Sequence, residues 1–249
     1  MLRSCGAAVF LIVLTLPIGV VAFAPTAAAD EVIFALGVKE QFISLRRTLK
    51  LERQTPGGPE TRRIETPSSD GTRRQAVVLN ASYDRWFVGA EASAVSLSIS
   101  EQPDSFSSNP RFPRSSSVDM TELDLAVGYT IMTGVSPYIG YLRHEQKTDC
   151  AGCTATVELG QIGPGLLLAY PVASTRWAAY LNMALIQGFS IEGGLSYAGI
   201  RWPVVGAAGF AYRRIDYPAG EVSCGQTNFS CFRERDVISG PILAVHYIF

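Results

Sequence analysis

Two histidines stand in the 249 residues, and they are the first place to look for proton chemistry. His144 has Glu145 and Asp149 close in sequence, and a dyad with Asp149 would make its imidazole a general base. The plainer reading of a lone histidine beside a loop is a solvated surface group. His246 lies three residues from the C-terminus, so the two cannot share a site. Walker A, dinucleotide-binding and zinc-protease patterns are absent. No catalytic, cofactor-binding or metal-ligating residue is therefore assigned, no cofactor is expected, and the chain is expected not to be an enzyme.

The remaining reactive side chains are thiols and a run of arginines. Cys150 and Cys153 sit in one polar, turn-rich segment, and Cys224 and Cys231 in another. In an exported chain an even number of cysteines reads as disulfides, and two local bridges, Cys150 to Cys153 and Cys224 to Cys231, are the simplest pairing. A four-cysteine metal site fits less well, because the spacing is irregular and no histidine is near. From Arg46 to Arg74 eight basic residues face four acidic ones. Arginine forks match phosphate geometry, which singles out Arg62, Arg63, Arg73 and Arg74 as candidate phosphate contacts.

The elements that must carry these groups begin after a leader. Arg3 precedes an apolar run from Gly6 to Ala24, and Ala27, Ala28 and Ala29 offer a small-residue cleavage site before Asp30. This predicts a cleaved signal peptide over 1–29 and one domain over 30–249. Pro17 interrupts the run, which argues against a retained anchor, and Cys5 lies on the wrong side of it for a lipid anchor. Without Arg3 the 21 basic residues become 20 against 22 acidic, so no nucleic-acid partner is indicated. Aromatic residues at 10% and charged residues at 17% argue against disorder.

Beyond residue 30 the dominant pattern is period two. Leu123, Leu125, Val127, Tyr129 and Ile131 share one face, with Glu122, Asp124, Ala126, Gly128 and Thr130 on the other. Trp177, Ala179, Leu181, Met183 and Leu185 oppose Tyr180, Asn182 and Ala184, and Phe34, Leu36 and Val38 oppose Gly37, Lys39 and Gln41. Seven more alternating segments fall near 74–83, 86–99, 137–147, 155–170, 190–201, 204–216 and 236–249. Each is an amphipathic strand, and together they make about ten. Short links at Tyr83 to Arg85, Thr133 to Ser136, Pro171 to Thr175 and Trp202-Pro203 alternate with long ones at 51–73, 100–118, 148–154 and 217–235 and a tighter one near Gly188. An all-β, antiparallel up-and-down meander follows, with strands of roughly 9 to 11 residues, the length that crosses a bilayer.

Which way the apolar faces point decides between a soluble barrel and a membrane barrel. The less apolar faces carry Lys39, Asn80, Glu91, Glu122, Asp124, Gln161, Asn182, Glu192 and Arg213 among small residues, as a polar lumen would. The opposite faces gather Tyr83, Trp86, Tyr129, Tyr170, Trp177 and Tyr247 beside short links, and Phe210 and Tyr212 toward long ones. Such rings settle at membrane interfaces.

The chain ends with Leu243, Val245, Tyr247 and Phe249 at alternate positions, and Pro164, Leu166, Leu168 and Tyr170 repeat the pattern of Pro241, Leu243, Val245 and Tyr247. This terminal strand resembles that of bacterial outer-membrane β-barrels, whose assembly machinery reads it. The resemblance implies a closed transmembrane barrel of about ten strands in the Gram-negative outer membrane, with the strand of Phe34 pairing that of Tyr247. It also implies lipid, lipopolysaccharide and the barrel-assembly machinery as partners, with a monomer favoured. In that setting the phosphates facing Arg62, Arg63, Arg73 and Arg74 are those of lipopolysaccharide. Lys39 and Arg213 are expected to neutralise some of Glu91, Asp124 and Glu192 across the lumen. Ten-stranded surface proteases resemble the chain in strand number and place acidic residues and a histidine at the barrel top, but only His144 invites the comparison. The role expected is structural or surface interaction, with a narrow porin-like channel as the alternative and a protease or lipid A modifying enzyme behind it.

Overall fold

The computed structural model describes residues 32–67, 72–99, 116–150, 153–172, 175–199, 202–218 and 229–249. The leader 1–29, the segment 101–115 and Cys224 lie outside the described residues, as do the side chains of Arg62, Cys150, Cys153 and Cys231. Eleven strands form: β1 (Ile33–Thr55), β2 (Gly58–Pro67), β3 (Thr72–Tyr83), β4 (Trp86–Ile99), β5 (Ser116–Tyr129), β6 (Val135–Cys150), β7 (Cys153–Pro171), β8 (Trp177–Ala184), β9 (Gly188–Ala198), β10 (Val204–Asp216) and β11 (Phe229–Ile248).

Ten of them close into a barrel. β3 to β11 pair in sequence order, β3 pairs β1, and β1 pairs β11, with Leu36 opposite Tyr247 and Val38 opposite Val245. Closure gives every wall strand two neighbours, which is what a sheet in lipid requires of its backbone. β2 is the exception, because it pairs only the far half of β1, from Arg46↔Pro67 to Thr55↔Gly58.

Strand length departs from the expectation. β1 has 23 residues, β7 has 19 and β11 has 20, about twice the roughly 9 to 11 that cross a bilayer. Much of what reads as long loop is therefore strand: 51–73 holds the β1–β2 hairpin, 148–154 is the tip of the β6–β7 hairpin, and β11 starts at Phe229. The reason is visible in the composition of these stretches. Arg62, Arg63, Arg233, Glu234 and Arg235 supply no apolar alternation to read.

The outer face explains the extra length. Near the short links it is apolar and exposed, with Phe34, Leu36, Val38, Val77, Leu79, Val88, Leu125, Val127, Ile139, Leu195, Leu243 and Val245. Tyr83, Trp86, Tyr170, Trp177, Trp202, Tyr247 and Phe249 rim that end, and Trp86–Tyr129 and Tyr247–Phe249 pack edge to face at 5.0 Å. Higher on the same strands the outward positions become Arg73, Ser96, Asp119, Thr121, Arg143, Glu158, Arg214 and Arg235. The belt of about nine residues per strand matches a hydrocarbon layer; above it the wall stands in water.

The inner face inverts at the same height. Above the belt the sheet divides: among the described residues the β3–β4 ladder ends at Gln75↔Ala94, the β7–β8 ladder at Gly165↔Ala184 and the β10–β11 ladder at Asp216↔Arg235, with one further bond from Tyr217 N to the Glu234 carbonyl. β2-β1-β11 and β4-β5-β6-β7 continue as two facing sheets. Ile43, Leu45 and Ile238 from the first meet Val95, Leu97, Val118, Met120, Val157 and Leu159 from the second in one buried cluster. A water-exposed extension can hold together only through an apolar interior, and each such side chain contributes roughly 1.5–3 kcal/mol when buried. The rule of apolar outside and polar inside thus holds in the belt and reverses above it.

One turn shows how the low part of the wall is made. Gln187, at φ 54°, and Gly188, at φ 125°, carry the chain from β8 into β9. A Cβ on Gly188 would stand 2.1 Å from the Arg214 carbonyl oxygen, so only glycine fits.

Candidate functional site in the barrel lumen

Between the apolar upper cluster and the aromatic lower half lies a layer of charge. Lys39 on β1 is 5% exposed, and its Nζ donates to Glu192 Oε2 on β9 at 2.8 Å and to Glu91 Oε2 on β4 at 3.2 Å. Arg213 on β10 spans two acids of β5, Nη1 to Glu122 Oε2 at 2.8 Å and Nη2 to Asp124 Oδ2 at 3.0 Å. All five sequence-predicted lumen charges therefore meet in this layer, with Lys39 joining Glu91 and Glu192, and Arg213 joining Asp124. Buried charges persist only when paired in this way.

Sequence reading missed half of the network. Arg74 on β3 donates Nε and Nη2 to Ser93 Oγ at 2.9 and 2.7 Å and also pairs with Glu122. It is 7% exposed and faces the lumen, which corrects its assignment as a lipopolysaccharide contact. Strand phase was the available signal: Arg74 shares parity with Asn80, already placed inside.

His144 corrects the expectation of a solvated group. It is fully buried, and its Nδ1 lies 2.9 Å from Glu122 Oε1 on the neighbouring strand, where register sets Glu122 opposite His144. Its carboxylate partner among the described side chains is Glu122, and the Asp149 side chain lies outside them. On its other side Tyr217 Oη stands 3.4 Å from Nε2 and has two acceptors for its one hydrogen, Asp236 Oδ2 at 3.0 Å and Gln146 Oε1 at 3.2 Å. Arg47 closes the chain on Asp236 through Nε at 3.1 Å and Nη2 at 3.3 Å. The network ties β1 and β11 to β5 and β6 across the lumen. Nothing in the local sequence signals it, because its members come from strands far apart in the chain.

Below the charges, Tyr138 donates to Asn182 Oδ1 at 2.9 Å, and Phe87, Tyr138, Leu142, Leu167 and Tyr180 fill the bore. His246 leans over Gly37, where a Cβ would meet its Nδ1 at 2.3 Å. The cavity remaining among Lys39, Glu91, Glu192 and Arg213 is about 20 Å³, room for roughly one water. Among the described residues no cluster of metal-ligating side chains occurs.

Two further predicted contacts, Arg63 and Arg73, lie outside. Arg63 is exposed and donates to Glu234 at 2.7 Å, and Arg73 is exposed, 3.6 Å from Glu40 and over the Phe42 ring. Leu243, Val245, Tyr247 and Phe249 face outward on the closing strand.

Comparison with solved structures places this architecture. The outer membrane protease OmpT from Escherichia coli superposes with a TM-score of 0.51 at 10% identity, over 90% of this chain and 99% of that one. The chain is an outer-membrane β-barrel by fold. Neisserial surface protein A (TM-score 0.35, 9% identity, 88% of this chain and 99% of that one) and a Pseudomonas aeruginosa FadL homologue (0.37, 8%, 88% and 90%) are more distant likenesses. No protein-family model and no curated protein matches the sequence. At such identities the likeness concerns the fold, and the barrel's role has to be argued from its own residues.

Proposed function

We propose that the barrel is a closed, non-conducting outer-membrane protein whose work is done by the surface it raises above the membrane. The observation that carries this reading is the filled bore: an aromatic and aliphatic layer, then the Lys39, Arg74 and Arg213 ion pairs, then the apolar cluster of Val118, Met120 and Leu159. An ion would have to pass all three. The two sheets above the belt and the β1–β2 hairpin form an outer body suited to contact with other molecules. Lipopolysaccharide is the partner nearest to hand, although Arg63 and Arg73 are each matched by a carboxylate, which weakens their pull on phosphate.

The channel reading draws on one feature, the buried polar atoms of Asn80 and His246 and the Asn182 amide nitrogen, which have no hydrogen-bond partner. Such groups suit water in the lower bore. Planar-bilayer recording tests the choice. The purified barrel is expected to be silent, and a variant with Lys39→Ala, Tyr180→Ala and Met120→Ala, one opening in each layer, is expected to leak; steady single-channel steps from the unmodified protein would overturn the closed reading. An enzymatic role would require an activity abolished by His144→Gln.

A further inference from the structure

We infer that the outer wall at β7 to β11 holds a phosphorylated lipid of the outer leaflet, its tail in an apolar groove and its phosphate on Arg214 and Arg235. The inference rests on the outer-membrane reading and names a ligand for that surface.

The groove follows from the short β8–β9 hairpin. Where these strands stop, Pro164, Leu166, Met183, Leu185 and Phe189 line a depression of about 330 Å³ on the outside of the barrel, within the roughly 300–1,000 Å³ range of small-molecule pockets. Leu185 is 60% exposed, and the groove lies in the upper part of the apolar belt. Its surroundings in a membrane are acyl chains, so a tail is the occupant the position supplies.

The charge is at the top edge of the same groove. Register sets Phe189 opposite Arg214 and Asp216 opposite Arg235, both on outward positions. Arg214 Nε lies 2.9 Å and Arg235 Nε 3.1 Å from the same oxygen, Asp216 Oδ1. Two guanidiniums thus share one carboxylate, which leaves a net positive charge where the belt gives way to polar surface. Each arginine retains donors beyond the one it spends on Asp216, and a fork of that kind matches a phosphate. Another groove on the wall, lined by Val38, Val77 and Leu243 with Glu40 at its edge, is a natural contrast. There the nearby Arg73 is matched one to one by Glu40.

Native mass spectrometry of the detergent-extracted full chain tests this with three probes: bisphosphorylated lipid A, the same lipid without its phosphates, and inorganic phosphate. Retention of the phosphorylated lipid is expected, and Arg214→Gln with Arg235→Gln should weaken it by about tenfold or more, the loss of a charged hydrogen bond or two. Leu185→Asn should weaken it as well, and Arg143→Gln, at an outward arginine paired with Glu158, should leave it unchanged. Equal retention of the dephosphorylated lipid, full retention by the double arginine variant, or complete competition by inorganic phosphate would each overturn the proposal. Heat-dependent gel mobility of the same samples separates the two levels: a barrel that fails to shift on boiling loses the outer-membrane reading, whereas a shifting barrel with no phosphate discrimination loses only this site.

Discussion

At the scale of single residues, a few charged side chains join distant strands across the lumen. Lys39 holds two carboxylates, Glu91 and Glu192, neither of them more than 3% exposed. Removing one partner of a buried pair leaves the other charge uncompensated, at a cost of about 3–5 kcal/mol. Lys39→Met should therefore lower the urea midpoint of the detergent-folded barrel strongly, and adding Glu91→Gln and Glu192→Gln should recover much of the loss. No change in midpoint for Lys39→Met would mean that the layer contributes little. Gly37 makes a complementary case, since its missing side chain is the space His246 occupies. Gly37→Ala should destabilise the barrel by about 1–3 kcal/mol, the usual range for overpacking, and Gly37→Ala combined with His246→Ala should be milder than the sum of the two changes.

At the scale of the strand, each long element has two sections with opposite rules, and β5 shows both. Leu125 faces lipid in the belt at 39% exposure, Thr121 faces outward above it, and Val118 is fully buried between the upper sheets. Lysine at Leu125 should cost about 2–4 kcal/mol, as charges do near a bilayer midplane. Lysine at Thr121 should stay within about 0.5 kcal/mol, as for ordinary surface changes. Lysine at Val118 should disrupt the upper sheets, and limited proteolysis would detect this as cleavage above a surviving belt. If lysine were tolerated at Val118 and damaging at Thr121, the phase inversion along β5 would be wrong. Period two predicted the belt sections because lipid outside and small polar residues inside give them clean contrast. It missed the upper sections of β1 and β11 and the whole of β2, where outward charges and mixed inward residues erase that contrast.

At the scale of the molecule, closure of β1 on β11 is the contact that makes a sheet into a barrel. Val38 and Val245 are register partners and both face outward. Cysteines at these two positions should form a disulfide within one monomer under mild oxidation, since cross-strand neighbours fall within disulfide reach. The cross-linked chain should then keep its compact gel mobility to higher temperature than the reduced form. A bond formed only between chains would contradict closure. The same pairing limits where function can reside: a bore filled with side chains leaves the upper sheets and the grooves of the wall as the exposed chemistry.

What the amino-acid sequence determined by itself was the class of the molecule: all-β, about ten strands in an up-and-down order, an apolar belt with aromatic rims, and Lys39, Glu91, Asp124, Glu192 and Arg213 on the other face. These follow from local periodicity, which the chain states residue by residue. Only the tertiary structure decided which charges meet, that Arg74 and His144 share Glu122, that Tyr217 links them to Asp236 and Arg47, and that the wall splits into two packed sheets above the belt. The pairings depend on register between strands, and a shift of two residues along one ladder would keep every face unchanged while giving the lumen charges that meet across it different partners.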